Sequence, residues 1–180
     1  MQDYYTRLDV TEKIIDEDGW LNTGDLGLLT FDNEIKITGR AKDTIVLLGG
    51  ENIEPAVIEG ELKGSDFIES VVVMGQDKKY LAAFIVPSKE NVMAWAAENG
   101  VPNEYYEGVL ESAEVKNLIQ SEIDMKINSS KEFRTCERIY KFALLQESFK
   151  VGEELSAKQE MMRHKIAEKY SKEIGGLFEE

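Results

Sequence analysis

With 180 residues, 42% of them hydrophobic, the chain has room for one ordinary domain or for a domain joined to a piece of another. Its formal net charge of −14 excludes a general nucleic-acid surface, which needs clustered lysine and arginine, though not a local basic mouth for an anionic ligand. Cys136 and His164 are the only cysteine and histidine, which excludes an intramolecular disulfide, a thiolate metal cluster and most zinc sites; with no apolar run of membrane-spanning length and no signal-peptide pattern, a cytoplasmic protein is predicted.

Met1 to Glu17 is polar without a clear period. Leu26 to Phe31 and Glu34 to Thr38 alternate β-formers around Asp32-Asn33, whose side chains tolerate turn angles, and predict a β-hairpin. Thr44 to Leu48 reads as a strand broken by Gly49-Gly50. Glu54-Pro55 then opens a helix through about Lys63, with proline in a first turn that needs no amide donor. Phe67 to Met74 and Lys79 to Val86 predict an antiparallel pair across the Gly75 to Lys78 link. Lys89 to Asn99 reads as a helix with Val92, Trp95 and Ala96 on one side, ended by Gly100 and Pro102. A second helix is predicted from Glu114 to about Ser130, with Val115, Leu118, Ile119 and Ile123 as its buried stripe. Arg138 to Leu145 is a strand, and Lys158 to Leu177 a last helix carrying Met162, Ile166 and Tyr170. Strands mixed with separated helices, without strict βαβ repetition, predict an α+β fold: a small antiparallel sheet with flanking helices, preceded by the hairpin.

Three polar, glycine-marked stations stand out along this series: Asp18-Gly19-Trp20-Leu21-Asn22-Thr23-Gly24-Asp25-Leu26-Gly27, then Gly39-Arg40-Ala41-Lys42-Asp43, then Gly49-Gly50-Glu51-Asn52-Ile53-Glu54-Pro55. Their order and spacing resemble the AMP-forming acyl-CoA synthetases of the adenylate-forming ligase superfamily, with long-chain fatty-acid ligases the nearest group. The resemblance implies a division into 1–40, the end of a large N-terminal domain with its hairpin, and 41–180, the C-terminal lid domain. Met1 would then be an internal position of a longer enzyme. By the same resemblance Asp25 holds the ribose of ATP, since one carboxylate can accept from two hydroxyls. Arg40 offers a planar, permanently charged fork to nucleotide oxygens. Lys42 takes the place of the hinge about which the lid turns, and Gly49, Gly50 and Glu51 form the loop that lines the pantetheine tunnel. Each has a plainer reading: Thr23-Gly24-Asp25 as the end of a loop, Arg40 as a surface arginine paired with a carboxylate such as Asp43, Lys42 as a solvated lysine, and the glycine pair as a strand-to-helix turn.

The family's C-terminal signature, Leu-Thr-Pro-Thr-x-Lys-x-x-Arg, is matched by Leu155-Ser156-Ala157-Lys158-Gln159-Glu160-Met161-Met162-Arg163. Anchoring on Leu155, Ser156 and Arg163 puts Glu160 where the adenylating lysine belongs. Lys158 is the candidate catalytic lysine, with Lys165 a poorer one, although in a helix Lys158 and Glu160 would diverge by about 200°. Arg163, His164 and Lys165 read either as a basic patch for CoA phosphates or as a solvated helix face. The implied reaction makes acyl-CoA, AMP and pyrophosphate from a fatty acid, ATP and CoA, with Mg²⁺ on the phosphates and no dedicated metal ligands in this chain. The implied partners are those substrates and the large N-terminal domain, with no nucleic acid or transmembrane segment, and peripheral membrane contact left open. The family's phosphate-binding Ser-Gly-Thr-Thr-Gly-x-Pro-Lys loop has no counterpart here, so the isolated chain is expected to be inactive. Rival readings are an aryl-, medium-chain or acyl-carrier-protein ligase, and a noncatalytic module that kept the lid fold.

Overall fold

The computed structural model describes residues 11, 13–102 and 105–179, which fall into two compact units, Met1–Asp43 and Thr44–Glu180. The opening stretch read as aperiodic thus lies largely outside the described residues.

In the first unit, strands β1 (Asp25–Leu29) and β2 (Ile35–Arg40) form the predicted antiparallel hairpin, paired from Asp25 opposite Arg40 to Leu29 opposite Ile35 with a register shift between Leu26 and Gly27. Its turn closes where Asn33 adopts φ 60°, a left-handed angle that its short polar side chain tolerates. A two-stranded ribbon has no second layer to cover it. None of this unit's described residues is buried, and Leu28, Leu29, Phe31, Ile35 and Ile37 all face solvent.

The second unit is α+β, as predicted. Strands β3 (Ile45–Val46) and β4 (Asn52–Ile53) form a short antiparallel pair, and α1 (Pro55–Leu62) follows with proline in its first turn. β3 is shorter than the apolar run Thr44 to Leu48, because Leu47 already belongs to the turn: its carbonyl accepts from Gly50 N–H at 2.8 Å. Strands β5 (Ile68–Met74) and β6 (Leu81–Pro87) pair antiparallel, and β7 (Ile139–Leu144) adds to β6 in parallel, giving the order β5-β6-β7. The parallel partner is an addition to the antiparallel sheet the sequence predicts. It requires a long crossover, supplied by α2 (Lys89–Glu98), α3 (Tyr106–Glu111) and α4 (Ala113–Ile123).

β6 is buried from Leu81 to Pro87, which explains why its sequence is an unbroken apolar run rather than an alternation. One sheet face sets Val71, Val73, Ala83 and Ile85 against Ile58 and Leu62 of α1 and Ile119 and Ile123 of α4. The other sets Val72, Phe84 and Val86 against Ile166 and Tyr170. Among the described residues no helix is long and apolar enough to cross a membrane.

Two predicted helices are corrected. The one expected over Glu114 to Ser130 starts at Ala113 and widens at Asp124–Asn128 into a π turn, where the Asn128 amide reaches over to β7 and exchanges hydrogen bonds with the backbone of Ile139. The one expected over Lys158 to Leu177 begins only at Arg163 and breaks at Tyr170, giving α5 (Arg163–Lys169) and α6 (Ser171–Phe178). The chain breaks the helical path at Gln159, which is left-handed at φ 62°, and Met162 N–H, which a helix would direct to Lys158 O, donates instead to Glu154 O at 2.8 Å, while the Ser156 hydroxyl accepts the N–H groups of Lys158 and Glu160, each at 3.2 Å. The four-residue spacing of Ile166 and Tyr170 survives on the side that meets the sheet.

Candidate functional site

The hairpin register brings the first two candidate residues together. Asp25 and Arg40 face each other at its open end, where Arg40 Nε lies 3.0 Å from Asp25 Oδ1 with both side chains partly exposed. The loop before Asp25 is shaped by its own side chains: Asn22 Oδ1 accepts from Gly24 N–H at 2.9 Å and Thr23 Oγ1 from Asp25 N–H at 3.2 Å. Gly24 sits at φ +73°, where a side chain would be strained, and its carbonyl accepts from Ala41 N–H at 2.9 Å. Arg40 is thus paired with the Asp25 carboxylate. An acceptor carboxylate stands beside a cationic donor fork, able between them to meet hydroxyl donors and anionic oxygens. Lys42 follows in the 3₁₀ turn Ala41–Asp43, exposed, and the compact units divide directly after that turn.

Gly49 and Gly50 form the tip of the β3–β4 hairpin. Gly50 needs its glycine for the backbone, at φ +87°, and not for space; a side-chain carbon at Gly49 would run into the carboxylate of Glu51, which folds back over it. Glu51 helps to line a cavity of about 530 Å³ together with Leu47, Lys79, Tyr80, Cys136 and Tyr140. Three separate segments build that wall. Leu48 N–H donates to Lys78 O at 2.8 Å, tying the glycine tip to the β5–β6 turn, and Arg134, ion-paired with Glu137, donates to Asn52 O at 2.8 Å. Lys79, Tyr80, Cys136 and Tyr140 are residues that sequence reasoning missed. Nothing in their local pattern separates them from ordinary strand and turn positions.

The C-terminal loop carries the remaining candidates. Gln159 N–H donates to Ser156 O at 2.8 Å and Ser156 N–H to Glu160 O at 2.9 Å, with Gln159 left-handed at φ 62°. Lys158 and Glu160 therefore flank the tip of a tight loop, both exposed, and the helical divergence between them does not arise. Lys165, the poorer candidate, is engaged at the loop's foot, where its ammonium donates to Gly152 O at 3.0 Å. Arg163 is not part of a solvated face: it is largely buried, with Nη2 2.6 Å from Glu59 Oε2 and Nη1 3.1 Å from Val73 O. His164 and Lys165 do face solvent.

At the other end of the loop Glu154 is buried. Burial pushes its carboxyl up, but hydrogen bonds from the Lys169 ammonium and the Lys150 N–H outweigh that and hold it below the usual carboxylate range. The hydrogen bond to Glu154, with help from Glu153, holds the Lys169 ammonium above its ordinary value. Among the described residues no three acidic, cysteine or histidine side chains are grouped to hold a metal ion.

Residues 42–180 match the family model described as the AMP-binding enzyme C-terminal domain. Over 189 aligned residues the chain is 32% identical to the probable acyl-activating enzyme 16, chloroplastic, of Arabidopsis thaliana, covering 99% of this chain and 26% of that protein. It is 34% identical over 163 residues to the long-chain-fatty-acid–CoA ligase FadD15 of Mycobacterium tuberculosis, covering 89% of this chain and 27% of that one. The adenylation domain of a carboxylate reductase from Mycobacterium chelonae superposes with a TM-score of 0.78 at 25% identity, over 98% of this chain and 26% of that one. The chain thus spans about a quarter of the length of the curated relatives it matches.

Proposed function

We propose that this chain, which belongs to the family of AMP-binding enzyme C-terminal domains, is the lid-bearing end of an ATP-dependent fatty-acid–CoA ligase. The whole enzyme joins a fatty acid to AMP, releasing pyrophosphate, then turns its lid and passes the acyl group to CoA in the cytoplasm. The observation that carries this reading is the Asp25–Arg40 pair at the open end of the hairpin, followed at once by an exposed Lys42 where the compact units divide.

In this reading Asp25 accepts hydrogen bonds from the ribose hydroxyls, while Arg40 orients it and offers donors to neighbouring nucleotide oxygens. The turn at Lys42 takes up the backbone rotation when the lid moves; a few permissive residues suffice for that. Gly49, Gly50 and Glu51 line the passage for the pantetheine arm, where the bare tip lets the backbone approach the ligand closely. Lys158, at the tip of the Ser156 loop, stabilises the charge that develops as the carboxylate attacks the α-phosphate of ATP. In this reading Mg²⁺ would enter with the nucleotide and supply charge neutralisation on the ATP phosphates.

AMP release that depends on both CoA and fatty acid tests the reading. The purified chain alone is expected to release none at a useful rate, and adding the large N-terminal domain is expected to restore turnover that Lys158→Ala lowers about a hundredfold. Brisk release by the chain alone, or none with the large domain present, counts against it.

Glu160 favours a second reading, a noncatalytic module that kept the lid fold. It places a carboxylate at the loop tip, where the family pattern has the phosphate-facing lysine. Glu160→Lys in the assembled enzyme separates the two: a large gain in adenylate formation means the native site is degraded, and no gain means another lysine already serves. Selection among long-chain, medium-chain and aryl acids belongs to the acid pocket of the large domain.

A further inference from the structure

Glu59 and Glu154 are the buried acids among the described residues, 7% and 2% exposed, and both stand at the foot of the same loop. A buried carboxylate is costly unless it is paired and fully hydrogen-bonded, and an apolar side chain of similar size commonly serves stability as well. Two such groups beside one loop therefore call for a geometric reason.

The incoming limb of the loop is held at Glu154. Its Oε2 accepts from Lys150 N–H at 3.0 Å, its Oε1 from the Lys169 ammonium and from the Tyr170 hydroxyl, and its own carbonyl takes Met162 N–H at 2.8 Å, closing the neck. Leu155 bridges to Val151 on one side and Met161 on the other. The outgoing limb is held at Arg163, whose fork spans Glu59 Oε2 and Val73 O while Glu59 Oε1 accepts Val73 N–H at 2.7 Å. That arrangement leaves Arg163 Nε buried without a partner among the described residues, so the guanidinium is placed for Glu59 and β5 rather than for its own full satisfaction. Between these two feet, residues 157–160 are exposed.

We propose that Glu59 with Arg163, and Glu154 with Lys169, are positioning residues that hold the Leu155–Met162 loop in one closed register, keeping Lys158 and Glu160 together at its tip. The value of that register for catalysis rests on the ligase reading above; the bracing itself does not. Both feet are tied to the sheet-bearing body of the lid, through β5 and α1 on one side and α5 on the other, so the tip moves with the lid as one piece.

Residue-resolved amide hydrogen exchange on the 180-residue chain tests the bracing. The reporting amides are those of Ser156, Gln159 and Met162, which close the loop, with Val72 and Phe84 on the sheet as the reference. Arg163→Met is expected to speed loop exchange about tenfold with the reference amides unchanged, and Arg163→Lys, which keeps a charge on Glu59, to recover part of the protection. Should Arg163→Met fail to fold, Lys169→Met puts the same question at the other foot, where the side chain is 45% exposed. Unchanged loop amides mean that the loop holds itself and overturn the proposal. So do loop and reference amides that rise together, because the pairs would then only stabilise the fold. No nucleotide enters this measurement, so it can fail while the ligase reading stands, and stand while that reading fails.

Discussion

The hairpin of the first unit and the sheet of the second are built from the same kind of residue and end in opposite conditions. Leu28, Leu29, Ile35 and Ile37 are as apolar as Val71, Val72, Phe84 and Ile85, yet the former are exposed and the latter buried. The difference is the second layer. β6 has a strand on each side and helices over both faces, whereas among the described residues β1 and β2 pair only with each other. Alternating apolar residues select a strand, but the burial that stabilises it comes from what packs on it. In the ligase reading the hairpin's cover is the large domain to which it belongs, and its polar end, not its apolar faces, does the chemistry.

The largest expected effect sharpens that contrast. Phe84→Ala should destabilise the chain by about 3–5 kcal/mol, the range for emptying a buried aromatic site, while Ile37→Ala on the exposed hairpin should stay within about 0.5 kcal/mol. Urea unfolding of the two variants checks this; comparable losses would mean that the hairpin is covered after all.

A smaller effect distinguishes the charges of the two units. The Glu154 carboxyl is held below its ordinary value of 4.5 in the folded chain. Its contribution to stability is therefore present above that value, where both states are ionised, and is lost as pH falls through the lower folded value, because the unfolded chain takes up the proton first. Unfolding midpoints measured from neutral pH into that acid range should fall less steeply for Glu154→Gln than for the native chain. An unchanged acid limb would count against the pair with Lys169.

The smallest effect is expected at the exposed pair. Asp25→Asn should change stability by less than about 1 kcal/mol, as surface ion pairs do, while weakening AMP binding by the assembled enzyme. A large stability loss with binding intact would make Asp25 a structural residue, and the plainer reading of Thr23-Gly24-Asp25 as a loop ending would hold.

Much of this fold was legible along the chain because its signals are local. The apolar run of β6, the valine run of β5, Pro55 at a helix start, and the Asp32-Asn33 turn each act on neighbouring residues, and each predicts its element to within a few positions. The glycine-marked stations are equally local, and they identify the family. Where local signals mislead, a competing group supplies the reason. Met162, Ile166 and Tyr170 have helical spacing, but the Met162 amide that a helix from Lys158 would need is taken by the Glu154 carbonyl, and Gln159 turns left-handed.

By itself, then, the sequence determined the strands apart from the two-residue β4, the helices α1, α2 and α4, the α+β class and the order of the candidate stations, since those follow from periodicity and from backbone preferences of single residues, whereas α3 and the break between α5 and α6 were not predicted. Only the tertiary structure decided that β7 lies parallel to β6, that Glu51 shares a cavity with Tyr80 and Cys136, and that Arg163 is an anchor rather than a solvated charge. The partner of Arg163 is 104 residues away, and no local pattern encodes a partner at that distance. Packing brings the two together, and the cost of burying an unpaired charge makes them stay.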